Sequence, residues 1–223
     1  MFKYYTFLSL FVLIIFGSCK HETKIQQPKI IAISEIPKKS EHRTDSIVID
    51  SHYTFDEAIS GSQAPPEIQN QLELITVHYY STDNKIHEGQ ILTNKKISVD
   101  LTEIFNFILS EHFPVAKVIP VVKYNWNDNL SMQDNNSYSF CYRNIKYSRH
   151  AVGMAIDINP FFNPVRWKND TLNRPVKPFG AVYNDSIPGT FTPSSPVIHE
   201  FINHHFHWGH FFHKKYDDHH FEK

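Results

Sequence analysis

The stretch SRHAVGMAIDINP (148–160) sets a histidine, His150, seven residues before an aspartate, Asp157, with Gly153 between them. Its second half, GMAIDIN, alternates in the manner of a strand and puts Ala155, Asp157 and Asn159 on one face. A histidine at a strand entrance and a carboxylate on that strand can reach one cation. Zn²⁺ accepts nitrogen and oxygen ligands at roughly 2.0–2.2 Å in tetrahedral geometry. Gly153 allows the backbone to turn tightly between the two. Taken alone, the pair fits a surface site or a structural hydrogen bond as well as a metal site.

On the N-terminal side, ELITVHYY and HEGQILT flank the turn-prone STDNK, a pattern that predicts a β-hairpin. Leu101, Ile104, Phe105, Ile108 and His112 follow helical spacing, and Pro114 stops that helix. AKVIPVV (116–122) reads as a strand, and the Asn-rich YNWNDNLSMQDNNSYSF (124–140) as a long polar loop. On the C-terminal side, Pro160 to Pro193 is loop-like and punctuated by prolines. Ser195-Pro196 resembles an N-cap followed by proline at the first helical position, and Val197, Ile198, Phe201, Ile202 and His205 supply an apolar face. Thr54-Phe55-Asp56-Glu57 is a possible capping box.

The chain opens differently. Lys3 is followed by a short apolar run, Phe7–Phe16, too short to span a bilayer comfortably and suited to a signal-peptide core. Phe16-Gly17-Ser18-Cys19 resembles a bacterial lipobox, which predicts cleavage before Cys19 and its lipidation; a plain secretory signal is the alternative. Residues 20–60 are rich in Lys, Glu, Gln, Ser and Pro and read as a spacer, although IIAI and SIVI could pair as strands. Cys141 is the other cysteine, so no disulfide framework is expected. The expected division is a signal peptide at 1–18, a spacer at 19–54 and one α+β domain at 55–223. With 22 basic and 23 acidic residues, nothing in the charge argues for nucleic acid or an anionic surface as partner.

The tail HHFHWGHFFHKKYDDHHFEK (204–223) carries seven of the 15 histidines. His204 and His205 close the predicted helix. His207, His210 and His213 form an H-x-x-H ladder, but Trp208-Gly209 within it argues against a stable helix. A metal sponge and a single defined site are both open from this composition.

The wider pattern Ser-x-His-x-x-Gly-x-Ala-x-Asp, carried by Ser148, His150, Gly153, Ala155 and Asp157, resembles the zinc motif of the M15 peptidases. These include D-alanyl-D-alanine carboxypeptidases and dipeptidases, and L-alanyl-D-glutamate endopeptidases of some phage lysins. Asp217 and His220 resemble the family's C-terminal acid-x-x-His motif, Phe206-His207-Trp208-Gly209 its aromatic-plus-glycine stretch, and NNSYSFCYR (135–143) the segment that brings in an arginine, here Arg143. The resemblance implies a small antiparallel sheet with flanking helices, the Hedgehog/DD-peptidase-like zinc peptidase fold. It also implies one Zn²⁺ held by His150, Asp157 and His220, with Asp217 as general base and Arg143 facing an oxyanion or a substrate carboxylate. Ser148, Trp208 and His219 are expected to support the ligands or the substrate. Asp218 is an alternative base, and Arg143 could instead cap a loop through an ion pair. On a regular strand Asp217 and His220 point to opposite faces, so a turn or bulge must intervene. His210, where the family favours glycine, and Phe211-Phe212, in place of Asp-Trp, are departures that touch the wall of the cleft. The implied substrates are peptidoglycan stem peptides in a bacterial envelope. A non-catalytic zinc-binding or peptidoglycan-binding lipoprotein is the rival.

Overall fold

The computed structural model describes residues 46–145 and 147–223. The signal peptide, Cys19 and IIAI lie outside the described residues, among which no helix is long and apolar enough to cross a membrane. In chain order the elements are β1 (Val48–Ile49), α1 (Phe55–Ile59), α2 (Pro66–Gln69), β2 (Leu72–Tyr80), β3 (Ile86–Asn94), α3 (Ser98–Ser110), β4 (Lys117–Val118) and α4 (Asp128–Gln133). There follow β5 (Asn136–Ser137), β6 (Ala155–Asp157), β7 (Val165–Trp167), α5 (Pro196–Asn203), β8 (His207–Trp208), β9 (Lys215–Asp217) and β10 (His220–Glu222). The fold is mixed α+β, with small sheets and few helices.

The predicted hairpin forms: β2 and β3 pair antiparallel from Tyr80↔Ile86 to Leu72↔Asn94. Within the expected spacer, Val48 and Ile49 pair in parallel with His87 and Glu88, so ordered chain begins upstream of the capping box. That box is complete, with Thr54 and Glu57 exchanging side-chain and backbone bonds. Helix α3 lays Leu101, Ile104, Phe105 and Ile108 into the main core, and it ends before His112, whose φ is 53°.

Two expectations are corrected. The strand predicted over AKVIPVV covers only Lys117–Val118. Pro120, with no N–H to donate, diverts the chain into a 3₁₀ turn at Val121–Tyr124. The Asn-rich loop contains helix α4, whose first turn is capped by the Asn127 side chain accepting from the Leu130 N–H. By contrast, Ser195 makes no side-chain bond to the turn that it precedes; its hydroxyl accepts from Thr192 N–H.

The three-stranded sheet β6-β10-β8 is antiparallel throughout and organises the C-terminal half. Its alternation separates two faces. Ile156, Phe221 and Trp208 stand in register on one side and enter the core, where Phe221 stacks on Phe201 with ring centroids 3.8 Å apart. Asp157 and His220 stand opposite one another on the other side. Burying the first row thus orients the second. Asn159, with φ 47°, ends β6 and staples it: Oδ1 accepts from Ala116 N–H, and Nδ2 donates to the carbonyls of Pro114 and Gly189.

Candidate metal centre

His150 sits in a 3₁₀ turn, Arg149–Val152, that Gly153 closes with φ 67°. A side chain there meets the Asn94 amide nitrogen at 2.8 Å, so both the conformation and the space require glycine. The turn delivers His150 to the face of β6 that bears Asp157. The cross-strand pairing adds His220 from the far end of the chain.

Three ligand atoms converge. His150 Nε2, Asp157 Oδ1 and His220 Nδ1 form a triangle with each side 3.0 Å. A tetrahedral zinc with bonds near 2.0 Å separates its ligands by about 3.3 Å. All three side chains are buried or nearly so. Each imidazole is oriented by its other nitrogen: His150 Nδ1 donates to the Ser139 carbonyl at 2.6 Å, and His220 Nε2 lies 3.1 Å from Glu222 Oε2. With those nitrogens protonated, two imidazole lone pairs and a carboxylate oxygen face one point. Such a donor set suits a cation, and it matches the histidine–acceptor pattern of zinc sites. Burial opposes ionisation of Asp157, but the histidines around it, His150 and His219 foremost, hold its carboxyl well below the usual range.

Asp217 and His220 lie on separate strands, β9 and β10, with Asp218-His219 as the intervening turn. Both side chains line one cleft of about 300 Å³ with His150 and Asp157. Gly209 is packed against that turn so closely that a Cβ meets the Asp217 carbonyl oxygen at 2.6 Å, Asp217 Cβ at 2.8 Å and His220 Cβ at 3.2 Å. Asp217 Oδ2 accepts from Lys215 Nζ at 2.5 Å. Its Oδ1 is buried 3.1 Å from His219 Nε2 with no aligned hydrogen-bond donor. Burial raises the Asp217 pKa, yet His219, His220 and Lys215 more than offset this and keep it below the ordinary value.

Asp218 plays a different part. It is fully buried, accepts Arg166 Nε and Nη2 on Oδ2 at 3.0 and 2.7 Å, and meets His210 Nδ1 through Oδ1 at 2.6 Å. Arg166 is itself held over the rings of Tyr183 and Tyr216. This network ties β7 and β9 to the turn after β8 and occupies both Asp218 oxygens.

Of the remaining candidates Arg143, Ser148 and His219 line the same cleft and Trp208 does not. Arg143 lines the cleft with Nη1 2.9 Å from Asp128 Oδ2, while its buried Nε has no partner. Ser148 lines the cleft just before the His150 turn. Trp208 is outside the cleft lining, buried in the core with Nε1 donating to the Asp218 carbonyl at 2.9 Å. His219 donates through Nδ1 to the Asn163 carbonyl at 2.7 Å. The tail is no uniform cluster: His204 pairs with Asp100 and His210 with Asp218, while His205, His207 and His213 are exposed. Sequence reasoning missed Ser139, Glu222, Arg166 and Lys215. Glu222 and Lys215 left a signal, since each is two residues from a site residue and residues two apart on a strand share a face.

Among known proteins, residues 143–223 match an M15 peptidase family model described as D-alanyl-D-alanine carboxypeptidase. The matched span begins at Arg143 and contains His150, Asp157, Asp217 and His220. No curated protein and no solved structure matches the chain.

Proposed function

With its C-terminal part similar to the M15 peptidases, we propose that this chain is a zinc-dependent peptidase that hydrolyses peptidoglycan stem peptides, at D-Ala-D-Ala or at L-Ala–D-Glu. We place it in the bacterial envelope, carried by a lipid on Cys19 and a spacer. The Hedgehog/DD-peptidase-like fold belongs to the same reading. The observation that carries it is the 3.0 Å triangle of His150 Nε2, Asp157 Oδ1 and His220 Nδ1, with an Asp217 oxygen that accepts no hydrogen bond on the same cleft.

A zinc ion on those three atoms supplies Lewis acidity toward water and toward a scissile carbonyl. The chain supplies the rest. Asp217 is the proton carrier: Lys215 occupies Oδ2, so Oδ1 keeps lone pairs free to take a proton and later return it to the leaving amine. Its lowered pKa keeps it ionised at neutral pH. Arg143, braced by Asp128, offers its remaining donors to developing negative charge in the cleft. The Tyr138 hydroxyl, buried on the cleft wall without a hydrogen-bond partner, is a further donor there.

The test is digestion of defined muropeptides by the zinc-loaded protein, with products named by mass spectrometry beside the Asp217→Asn variant. The wild type cleaves one bond. The variant keeps one zinc per chain and is slowed by a factor on the order of 10²–10⁴. A wild type that binds zinc and leaves every muropeptide intact transfers the support to the non-catalytic binding lipoprotein.

A further inference from the structure

Strand β2 pairs with β3 alone and forms an outer edge of the sheet β1-β3-β2. The parity of this ladder is set at its two ends. There Lys95 N–H donates to the Gln71 carbonyl and Ser81 N–H to the Lys85 carbonyl, each in line with the strand register. Bonded pairs alternate in an antiparallel ladder, so Glu73, Ile75, Val77 and Tyr79 turn their backbone groups toward β3. Leu74, Thr76, His78 and Tyr80 turn theirs away from it. On β3 the outward groups are used: the Glu88 carbonyl accepts from Asp50 N–H, the Leu92 carbonyl accepts from Phe140 N–H, and Asn94 N–H donates to the Gly153 carbonyl. On β2 the Tyr80 carbonyl accepts from Val115 N–H at 2.8 Å. Among the described residues, nothing bonds the outward N–H and C=O groups of Leu74, Thr76 and His78.

Such an edge is a template for another strand, and folded proteins blunt it with lysine, proline, a bulge or brevity. β2 has none of these. Its sequence LELITVHYY lacks Lys, Arg, Pro and Gly, and its register with β3 runs unbroken from Leu72 to Tyr80. Thr76 at its middle is exposed, and Leu74 and Ile75 beside it are only partly covered by the apolar clusters.

The edge is complementary to itself. An antiparallel two-fold centred on Thr76 pairs Thr76 with its own copy, Leu74 with His78 and Ile75 with Val77. The outward groups of Leu74, Thr76 and His78 then meet as bonded pairs. Threonine pairs and β-branched pairs are favourable across strands, and no two like charges stand opposite one another. His78, the ionisable side chain in this section, already has its Nε2 3.0 Å from Glu88 Oε2.

We infer that the chain pairs with a second copy of itself through β2, edge to edge about a two-fold axis at Thr76, which joins two sheets into one. The inference is independent of the peptidase reading, since β2 lies outside residues 143–223 and outside the cleft lining.

The experiment follows the mass of the full chain in mild detergent by light scattering, corrected for bound detergent, over a concentration series. The wild type reaches the mass of two chains. The two-fold brings Thr76 about 5.5 Å from its own copy, so a charge placed there faces itself. Thr76→Lys and Thr76→Glu each weaken dimerisation about three- to tenfold, and near the wild-type midpoint their mass falls toward one chain. Their equimolar mixture recovers the mass of two chains, because lysine then faces glutamate. Thr76 is exposed and its backbone groups lie off the β2–β3 ladder, so both variants fold, which circular dichroism verifies. Thr171→Lys, at an exposed position away from β2, dimerises as the wild type does. A wild type with the mass of one chain at every concentration overturns the inference and leaves the edge to a strand of another protein. A dimer that both single variants retain, or that their mixture fails to restore, overturns it as well.

Discussion

His220 Nδ1 lies 3.0 Å from His150 Nε2, across 70 residues of chain, because β10 adds to β6 in the register that sets His220 opposite Asp157. The same register buries Phe221 against Ile156, so the apolar core and the polar triangle are the two faces of one short ladder. On the proposed zinc reading stability and metal binding are therefore coupled, and substitutions outside the three ligands should register at the site.

Glu222 is the first. It orients His220 through a 3.1 Å contact to Nε2, and Glu222→Gln weakens that hold without removing a ligand. Zinc affinity should fall about 10–100-fold, the range for such supporting groups, while His150→Ala abolishes stoichiometric binding. Competition with a chromogenic chelator measures both. An unchanged affinity in Glu222→Gln removes it from the site.

Gly209 is the second. A methyl group there must displace the Asp217 carbonyl oxygen and the Cβ atoms of Asp217 and His220, all within 3.2 Å of the position it takes. Gly209→Ala should cost on the order of 1–3 kcal/mol of stability through overpacking and lower zinc affinity in parallel. Urea unfolding with and without zinc separates the two losses.

Asp218 distinguishes neighbours that the sequence leaves interchangeable. Asp218→Asn deprives Arg166 and His210 of their anion, and removing one member of a buried charge network costs up to about 3–5 kcal/mol; the partial exposure of Arg166 puts the loss below that ceiling. The variant should melt earlier yet retain one zinc, whereas Asp217→Asn should melt near the wild-type temperature and lose turnover. The reverse assignment of those phenotypes exchanges the two roles.

Asp100 carries an acid-sensitive contact far from the cleft. Burial works against its ionisation, but hydrogen bonds from Lys223 and His204 outweigh it and lower its pKa. A depressed folded pKa means that the stabilisation is complete above the unfolded value, near 3.9, and disappears as pH falls through the lower folded value. Asp100→Asn should therefore lose stability at neutral pH and show a shallower decline below about pH 4 than the wild type. Thermal melts from pH 7 to pH 3 test the sign.

Much of the scaffold was legible locally. The turn-prone STDNK between two strand-forming runs, the helical spacing of Leu101 to Ile108, Pro196 at the head of its helix and the capping box at Thr54 are all properties of neighbours, and all appear in the fold. The helix in the Asn-rich segment was legible too, since Asn127 before Asp128 is a cap signal that the surrounding polarity masked. Spacing also demanded a turn between Asp217 and His220, and one is there.

What sequence determined about this protein, then, is the residue types available for a cation and the local elements that carry them, because torsional preference and side-chain period act over a few residues. Which histidines face one another was decided by tertiary structure. Seven tail imidazoles are chemically alike, and only the β6–β10 pairing, the Gly209 contact and the Asp218 network give them different surroundings. His220 meets His150 and Asp157, His210 a buried aspartate and His213 solvent. The distinction arises from long-range burial, whose apolar contacts set the register on which the polar face depends.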